Sequence, residues 1–160
     1  MSEPTKNTTG LTQYCTFRLG HLAIGVDVQR VREVIRHELM TKVPMAPPEV
    51  KGLINLRGQI ITALDLREQL GLPADGELRA HVVIGTGEEA ISLMVDEVGD
   101  VVTPSMDDYE PMPAAVPERV RHLLSGAYKL ENRLLLVLET QRVTEMLMTS
   151  GSSRTLRRSA

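Results

Sequence analysis

Arg57 is the side chain whose type and setting best suit the binding of another molecule. It stands in the run Asn-Leu-Arg-Gly at residues 55–58, between two apolar segments with strand-like alternation, and Gly58 is typical of a tight turn. A guanidinium group presents a planar fork of N–H donors, which suits the polar groups of a partner. The alternatives are a solvated turn residue or an ion pair with Glu33, and an exposed pair adds only about 0–1 kcal/mol of stability.

The other residues capable of chemistry do not form a catalytic or metal-binding pattern. The four histidines, His21, His37, His81 and His122, do not have the spacing of metal ligands, and Cys15 has no second cysteine to pair with. The sequence has no phosphate-binding loop, no dinucleotide-binding fingerprint and no nucleophile elbow. We therefore predict no catalytic residue, no metal, no cofactor and no enzymatic activity.

The composition argues against a nucleic-acid binder. The net charge is −3, aromatic residues make up 2%, and residues 1–150 hold 15 basic against 21 acidic groups, because three arginines lie in the last ten positions. Nucleic-acid binding favours a basic face and stacking rings. A single cysteine, a polar N-terminus and the lack of an apolar run near the ~20 residues of a membrane span predict a cytoplasmic protein without membrane insertion.

An internal repeat relates the two halves of the chain. Residues 52–65 (GLINLRGQIITALD) are echoed by residues 126–139 (GAYKLENRLLLVLE), and a weaker similarity relates Gly-Val-Asp at 25–27 to Met-Val-Asp at 94–96. Arg57 aligns with Glu131 in this repeat. The common fold therefore does not itself require an arginine at that position.

Alternating apolar residues and closely spaced turn signals predict many short strands and few helices. We expect strands near residues 13–19, 22–26, 37–43, 53–56, 59–64, 81–86, 90–95, 98–102, 123–130 and 133–138. Short helices are expected near 28–35 and 65–71, and a closing helix near 140–149. The pattern predicts an all-β fold.

The repeat and the strand pattern together predict one domain over residues 12–150, made of two small barrels side by side. We expect the first barrel over about 13–72 and the second over about 80–139. Shared strands or a common interface are expected, because each half is too short to fold independently. A disordered N-terminus is expected at 1–11 and a flexible basic tail at 151–160.

Several of these segments resemble a known family. The run VPMAPPEVKGLINLRGQII at residues 43–61, followed by Leu-Asp-Leu at 64–66, is similar to the signature of the CheW family of bacterial chemotaxis coupling proteins. Residues 26–34 and 95–98 are similar to two other segments of that family. The similarity extends over about 13–147, and the Asn-Leu-Arg-Gly block in this setting is quite specific.

The resemblance implies two SH3-like five-stranded β-barrels around a shared core, and the function of a scaffold or adaptor in chemotaxis signal transduction. Family members bind the cytoplasmic tip of chemoreceptors, a helical hairpin, in a groove between the barrels. They also bind the regulatory domain of the histidine kinase CheA through contacts between barrels. The resemblance thus implies a cytoplasmic protein that is recruited to membrane-bound receptor arrays.

The resemblance also implies which residues contact the receptor. The key arginine of the family falls on Arg57 and its paired acid on Glu33. Apolar contact positions fall on Val28, Val31, Val82, Val98 and Val101. Residues that face the kinase are placed only on the loops and edges at the barrel ends. An adaptor of another pathway (type IV pilus, surface sensing or second-messenger signalling) remains the alternative.

Overall fold

The fold is that of a computed structural model, which describes residues 11–36, 40–86, 88–114 and 116–150. The strands are β1 (Tyr14–Leu19), β2 (Leu22–Asp27), β3 (Val31–Ile35), β4 (Val50–Leu56), β5 (Gln59–Leu64), β6 (Ala80–Thr86), β7 (Glu89–Val95), β8 (Glu97–Val102), β9 (Tyr109–Glu110), β10 (Leu124–Lys129) and β11 (Leu134–Leu138). The helices are α1 (Glu118–Arg121) and α2 (Thr140–Ser150). Single 3₁₀ turns lie at Val28–Arg30 and Met106–Asp108. The prediction of a mostly β fold with a closing helix is confirmed.

The strands form two sheets that exchange strands between the halves of the chain. One sheet has six strands in the order β8-β1-β2-β11-β10-β9, and the other has five in the order β3-β6-β7-β5-β4. Strand β3 follows the β1–β2 hairpin but pairs with β6, whereas β8 follows the β6–β7 hairpin but pairs with β1. The exchange is therefore reciprocal.

This exchange corrects the expected division into barrels over 13–72 and 80–139. The five-stranded sheet is built from residues 31–95, and the six-stranded sheet from residues 14–27 together with 97–138. Pairing between distant strands is not visible in the alternation of a sequence, so the repeat alone could not reveal which strands cross over.

The internal repeat is seen in detail in the hairpins β4–β5 and β10–β11. In the first, Val50 pairs with Leu64 and the register shifts before the next pair; in the second, Leu124 pairs with Leu138 and a shift follows at the same place. The hairpins β1–β2 and β6–β7 also correspond, with the turn-flanking residues 19 and 22 matching 86 and 89. This correspondence differs from the predicted one between 25–27 and 94–96, because it aligns Asp27 of β2 with Met94 of β7. Five strands of the six-stranded sheet thus repeat the arrangement of the five-stranded sheet, and β9 is additional.

A large apolar cluster lies between the two sheets and joins them into one body. Its buried members come from both sheets and from both helices, and include Ile24 on β2, Leu93 on β7 and Val143 on α2. Two smaller clusters belong to the individual sheets, one around Tyr14 and Leu135 and the other around Ile54 and similar aliphatic residues. Since most of the apolar burial is shared, neither sheet has a complete core of its own.

Two predicted helices are wrong and one predicted strand is largely absent. Residues 28–35 form only a 3₁₀ turn, in which the Asp27 carboxylate accepts a hydrogen bond from the backbone N–H of Gln29 at 3.0 Å, and then continue as β3. The β-branched residues of β3 favour a strand over a helix. Residues 65–71 make turns rather than a helix. In the expected strand at 37–43, Thr41 pairs with Leu53 and residues 37–39 lie outside the described residues, as do 1–10 and the tail at 151–160.

Candidate functional site

Arg57 lies in a tight turn that projects from the five-stranded sheet. Arg57 has φ of 53° and Gly58 has φ of 86°, so both central residues of the β4–β5 turn are left-handed. The backbone N–H of Gly58 donates to Oδ1 of Asn55 at 3.0 Å and fixes the turn. A Cβ placed on Gly58 would meet no atom within 4 Å, so there is open space around Gly58. The left-handed region costs a side chain such as that of arginine roughly 1–2 kcal/mol.

The guanidinium group of Arg57 forms a two-pronged ion pair with Glu33. Nη1 of Arg57 lies 3.0 Å from Oε1 of Glu33, and Nη2 donates to Oε2 at 3.3 Å. The Arg57 side chain is 79% exposed and that of Glu33 27%. Water and salt screen such a pair, so its net contribution to stability is about 0–1 kcal/mol.

The ion pair also connects the two edges of the five-stranded sheet. Glu33 belongs to the edge strand β3, and Arg57 directly follows the opposite edge strand β4. The pair therefore helps to close the sheet into a barrel, while most of the guanidinium surface stays open to solvent. A strained residue with a weak structural role is a good candidate for binding.

The structure places the candidate valines in three different settings. Val31 and Val98 are half-buried and pack against the shared core, at corresponding positions of β3 and β8. Val28 is half-buried in the 3₁₀ turn before β3, and Val101 is exposed on β8. Val82 is 0% exposed inside the shared core, so it cannot contact a partner and is removed from the candidate set.

An apolar groove of about 700 Å³ lies beside β1 and β8 of the six-stranded sheet. Of the candidate residues, Val98 belongs to its lining, which also includes Phe17, Leu22, Val116 and Leu134. Glu33 and Arg57 lie outside this groove. The structure therefore does not gather all of the sequence-predicted residues into a single cavity.

Two exposed apolar residues near the ion pair were missed by the sequence analysis. Val34 follows Glu33 on β3, and Ile60 lies on β5 opposite Asn55. Ile60 aligns with Leu134 in the repeat, and both residues are apolar. Alternation along β5 does not show that Ile60 points to solvent, because the next residue, Ile61, is also apolar.

Two other groups of chemical interest, His81 and Cys15, have structural roles. His81 is buried, and its Nδ1 lies 2.8 Å from Oγ of Ser92. Cys15 is buried, and burial raises the pKa of its thiol, which keeps the thiol protonated and unreactive. Among the described residues, no three His, Cys, Asp or Glu side chains are grouped so that they could hold a metal ion. No helix in the described part of the chain has the length and apolar character needed to cross a membrane.

Comparison with known families shows to which family this chain belongs. A family model described as the CheW-like domain matches residues 13–147, which is most of the chain. The chain belongs to the CheW-like domain family. It is 31% identical over 138 residues to the chemotaxis protein CheW of Rhizobium meliloti (strain 1021), covering 85% of this chain and 89% of that protein.

Other CheW-like proteins agree with this assignment. Protein FrzA of Myxococcus xanthus is 30% identical over 117 residues, covering 70% of this chain and 71% of its own. The crystal structure of the scaffolding protein TtCheW from Thermoanaerobacter tengcongensis matches with a TM-score of 0.73 and 26% identity, over 81% of this chain and 89% of that chain. The predicted family and fold class are both confirmed.

Proposed function

We propose that the protein is a non-enzymatic scaffold that couples chemoreceptors to the histidine kinase CheA in chemotaxis. Membership of the CheW-like domain family and the names of its relatives, chemotaxis protein CheW and scaffolding protein TtCheW, support this function. The observation that carries the proposal is the exposed, strained Arg57, whose ion pair with Glu33 contributes little to stability. The protein would act in the cytoplasm and be recruited to membrane-bound receptor arrays.

The cytoplasmic tip of a receptor would dock against the surface around Arg57 and Glu33. The guanidinium can donate to polar groups of the receptor while Glu33 holds it in place. Val28, Val31, Val98 and Val101 complete the proposed contact set as apolar positions on or before the exchanged strands β3 and β8. Since β3 and β8 connect both sheets, contact along them would touch both barrels at once.

The regulatory domain of the kinase would bind at loops and edges of the barrel ends. Receptor and kinase could then be held at the same time on separate surfaces. A change in the receptor alters kinase output only if its two states differ in binding free energy to the assembled scaffold. The scaffold needs no catalytic group for this function.

Co-purification with the tagged protein tests the proposal. We expect a chemoreceptor and CheA to be recovered with the wild-type chain, and the receptor to be lost or reduced with Arg57→Ala. Lys129→Ala is a matched control, because Lys129 makes an exposed ion pair with Glu110 at 2.9 Å in the other sheet. Full recovery of receptor and kinase with Arg57→Ala and Glu33→Ala would contradict the assigned surface. If wild type recovers pilus or second-messenger components instead, the adaptor belongs to another pathway.

A further inference from the structure

A cationic cleft lies on the five-stranded sheet, away from the residues assigned above. It has a volume of about 580 Å³ and is lined by strands and loops that include β4, β6 and the segment after β5. Its charged lining consists of five cationic side chains (Arg36, Lys42, Lys51, Arg67 and Arg79) and two acidic ones (Asp65 and Glu77). The cleft is thus positive by three charges, whereas the whole chain has a net charge of −3.

One wall of the cleft is fixed by a buried ion pair. Nη2 of Arg67 lies 2.8 Å from Oδ2 of Asp65, and both side chains are buried. Nη1 of Arg67 donates to the carbonyl oxygens of Asp75 at 2.8 Å and Gly76 at 3.2 Å. The guanidinium therefore holds the loop that precedes β6 and, with it, the position of Arg79.

Another part of the lining is fixed by backbone pairing between the β3–β4 connection and β4. The N–H of Thr41 donates to the carbonyl of Leu53 at 2.9 Å, and the N–H of Leu53 donates to the carbonyl of Thr41 at 2.8 Å. A Cβ on Gly52 would lie only 2.7 Å from the Thr41 oxygen, so glycine permits this close approach. Lys42 and Lys51, the neighbours of these residues in the chain, are therefore set on a preformed surface.

Three exposed cations of the cleft are not held in ion pairs. Within the described ranges, Lys42, Lys51 and Arg79 take part in no ion pair. Like charges collected in one concave surface repel each other and raise the local positive potential. This arrangement is complementary to an anionic partner.

The distribution of these cations favours an extended anionic partner over a compact one. The buried cation Arg67 is already occupied by Asp65 and two carbonyl groups, so no buried cationic donor remains among the described lining residues to grip a phosphate group. The available charges belong to long, exposed side chains on three segments of the chain, namely the β3–β4 connection, β4 and the loop before β6. Met40, Leu78 and Met94 add apolar surface to the lining.

We propose that this cleft binds an acidic, extended segment of a partner protein. The carboxylates of the segment would pair with Lys42, Lys51 and Arg79, and its apolar side chains would contact the methionines and Leu78. The surface is separate from the Arg57 turn, and the proposal does not depend on the identity of the receptor or kinase.

Fluorescence anisotropy with a labelled ten-residue poly-glutamate peptide tests the proposal on the full-length chain. We expect the double variant Lys42→Gln/Lys51→Gln to bind the peptide about tenfold more weakly than wild type at low ionic strength. This difference in affinity should vanish at about 0.5 M salt. The matched control is Arg30→Gln/Arg133→Gln, which removes the same charge from exposed positions outside the cleft. Both variants keep the three arginines of the tail, so any contribution of the tail cancels.

Two outcomes would overturn the proposal. Equal weakening by the two double variants would show that the peptide responds only to net charge. Binding of inorganic pyrophosphate with affinity equal to that of the peptide, lost in the Lys42/Lys51 variant, would make the cleft a site for small anions instead. A ten-residue poly-glutamine peptide, which has the same length without charge, should not bind.

Discussion

Asp100 and Glu131 are the counterparts, in the six-stranded sheet, of the ion pair in the five-stranded sheet. When β1–β2–β3 is aligned with β6–β7–β8 by strand register, Glu33 corresponds to Asp100. The correspondence of the hairpins β4–β5 and β10–β11 carries Arg57 onto Glu131. Two acidic side chains cannot attract each other, so one sheet forms without the interaction that the other contains. The ion pair is therefore a property of one barrel and not a requirement of the shared construction.

Removal of the ion pair should leave the stability nearly unchanged. Arg57→Ala and Glu33→Ala are each expected to alter the free energy of unfolding by no more than about 1 kcal/mol, because the Arg57 side chain is 79% exposed and water screens the pair. Leu93→Ala, in the shared core, should cost about 2–5 kcal/mol in the same urea titration. A loss from Arg57→Ala as large as that from Leu93→Ala would show that the turn is structural.

Exchange of the two charges separates binding from barrel closure. The double variant Arg57→Glu/Glu33→Arg retains opposite charges on β3 and the β4–β5 turn, so its free energy of unfolding should stay within about 1 kcal/mol of wild type. Receptor binding should nevertheless be lost, since the donor and acceptor groups now have inverted positions. Recovery of binding in the double variant relative to Arg57→Ala would indicate that the pair acts only by holding the sheet closed.

Arg57→Asn should improve the turn while damaging the proposed function. Asn-Gly is a favoured sequence for a two-residue turn in which both φ angles are positive, as they are here. The relief of backbone strain should equal or exceed the loss of the ion pair, so thermal stability is expected to be unchanged or higher. Binding to a receptor-tip fragment, measured by calorimetry, should fall; a variant that is more stable and binds as well as wild type would contradict a binding role for the guanidinium.

The buried pair of Asp65 and Arg67 should be far more important for stability than the exposed pair. Asp65→Ala leaves the Arg67 guanidinium buried without its carboxylate, and we expect a loss of about 3–5 kcal/mol in urea unfolding. Glu77→Ala, which removes an exposed acid from the same cleft, is the control and should change stability by less than about 0.5 kcal/mol. Similar losses from both substitutions would mean that the loop before β6 is not held by Arg67.

Alkaline pH should weaken the fold partly through Cys15. Burial raises the pKa of this thiol in the folded state, whereas the unfolded thiol titrates near about 8.5. The thiol's contribution to the free energy of unfolding is therefore complete below about pH 8.5. It is lost as the pH rises, because the unfolded chain then releases a proton that the folded chain retains. The free energy of unfolding between about pH 7.5 and 9.5 should fall more steeply for wild type than for Cys15→Ala, and parallel curves would refute this assignment.

The hairpins could be predicted from the sequence because their signals are local, whereas the pairing of Arg57 with Glu33 was one open alternative and was otherwise implied by the family resemblance. The repeat of 52–65 at 126–139 marks β4–β5 and β10–β11, and the Arg57-Gly58 turn lies between two alternating runs. The crossing of β3 and β8 could not be predicted, since it depends on pairing between strands that lie far apart along the chain. Val82 was included only because the family resemblance implied a contact there, and the structure buries it in β6, which is covered on both faces.

The cationic cleft was invisible in the sequence for another reason. Lys42, Lys51, Arg67 and Arg79 are spaced widely and are surrounded by acidic residues, so no charge run marks them. Only the pairing of the β3–β4 connection with β4, and the capture of the loop before β6 by Arg67, bring them together.

The reciprocal crossing of β3 and β8 restricts how this protein can diversify. A recombination event in the loop before β6 would replace one side of four strand pairings simultaneously (β1–β8, β2–β11, β3–β6 and β5–β7). A barrel therefore cannot be acquired from a foreign gene as an intact cassette. The two barrels must diverge by substitutions within one interlocked chain, as the arginine of one turn and the glutamate of the other illustrate.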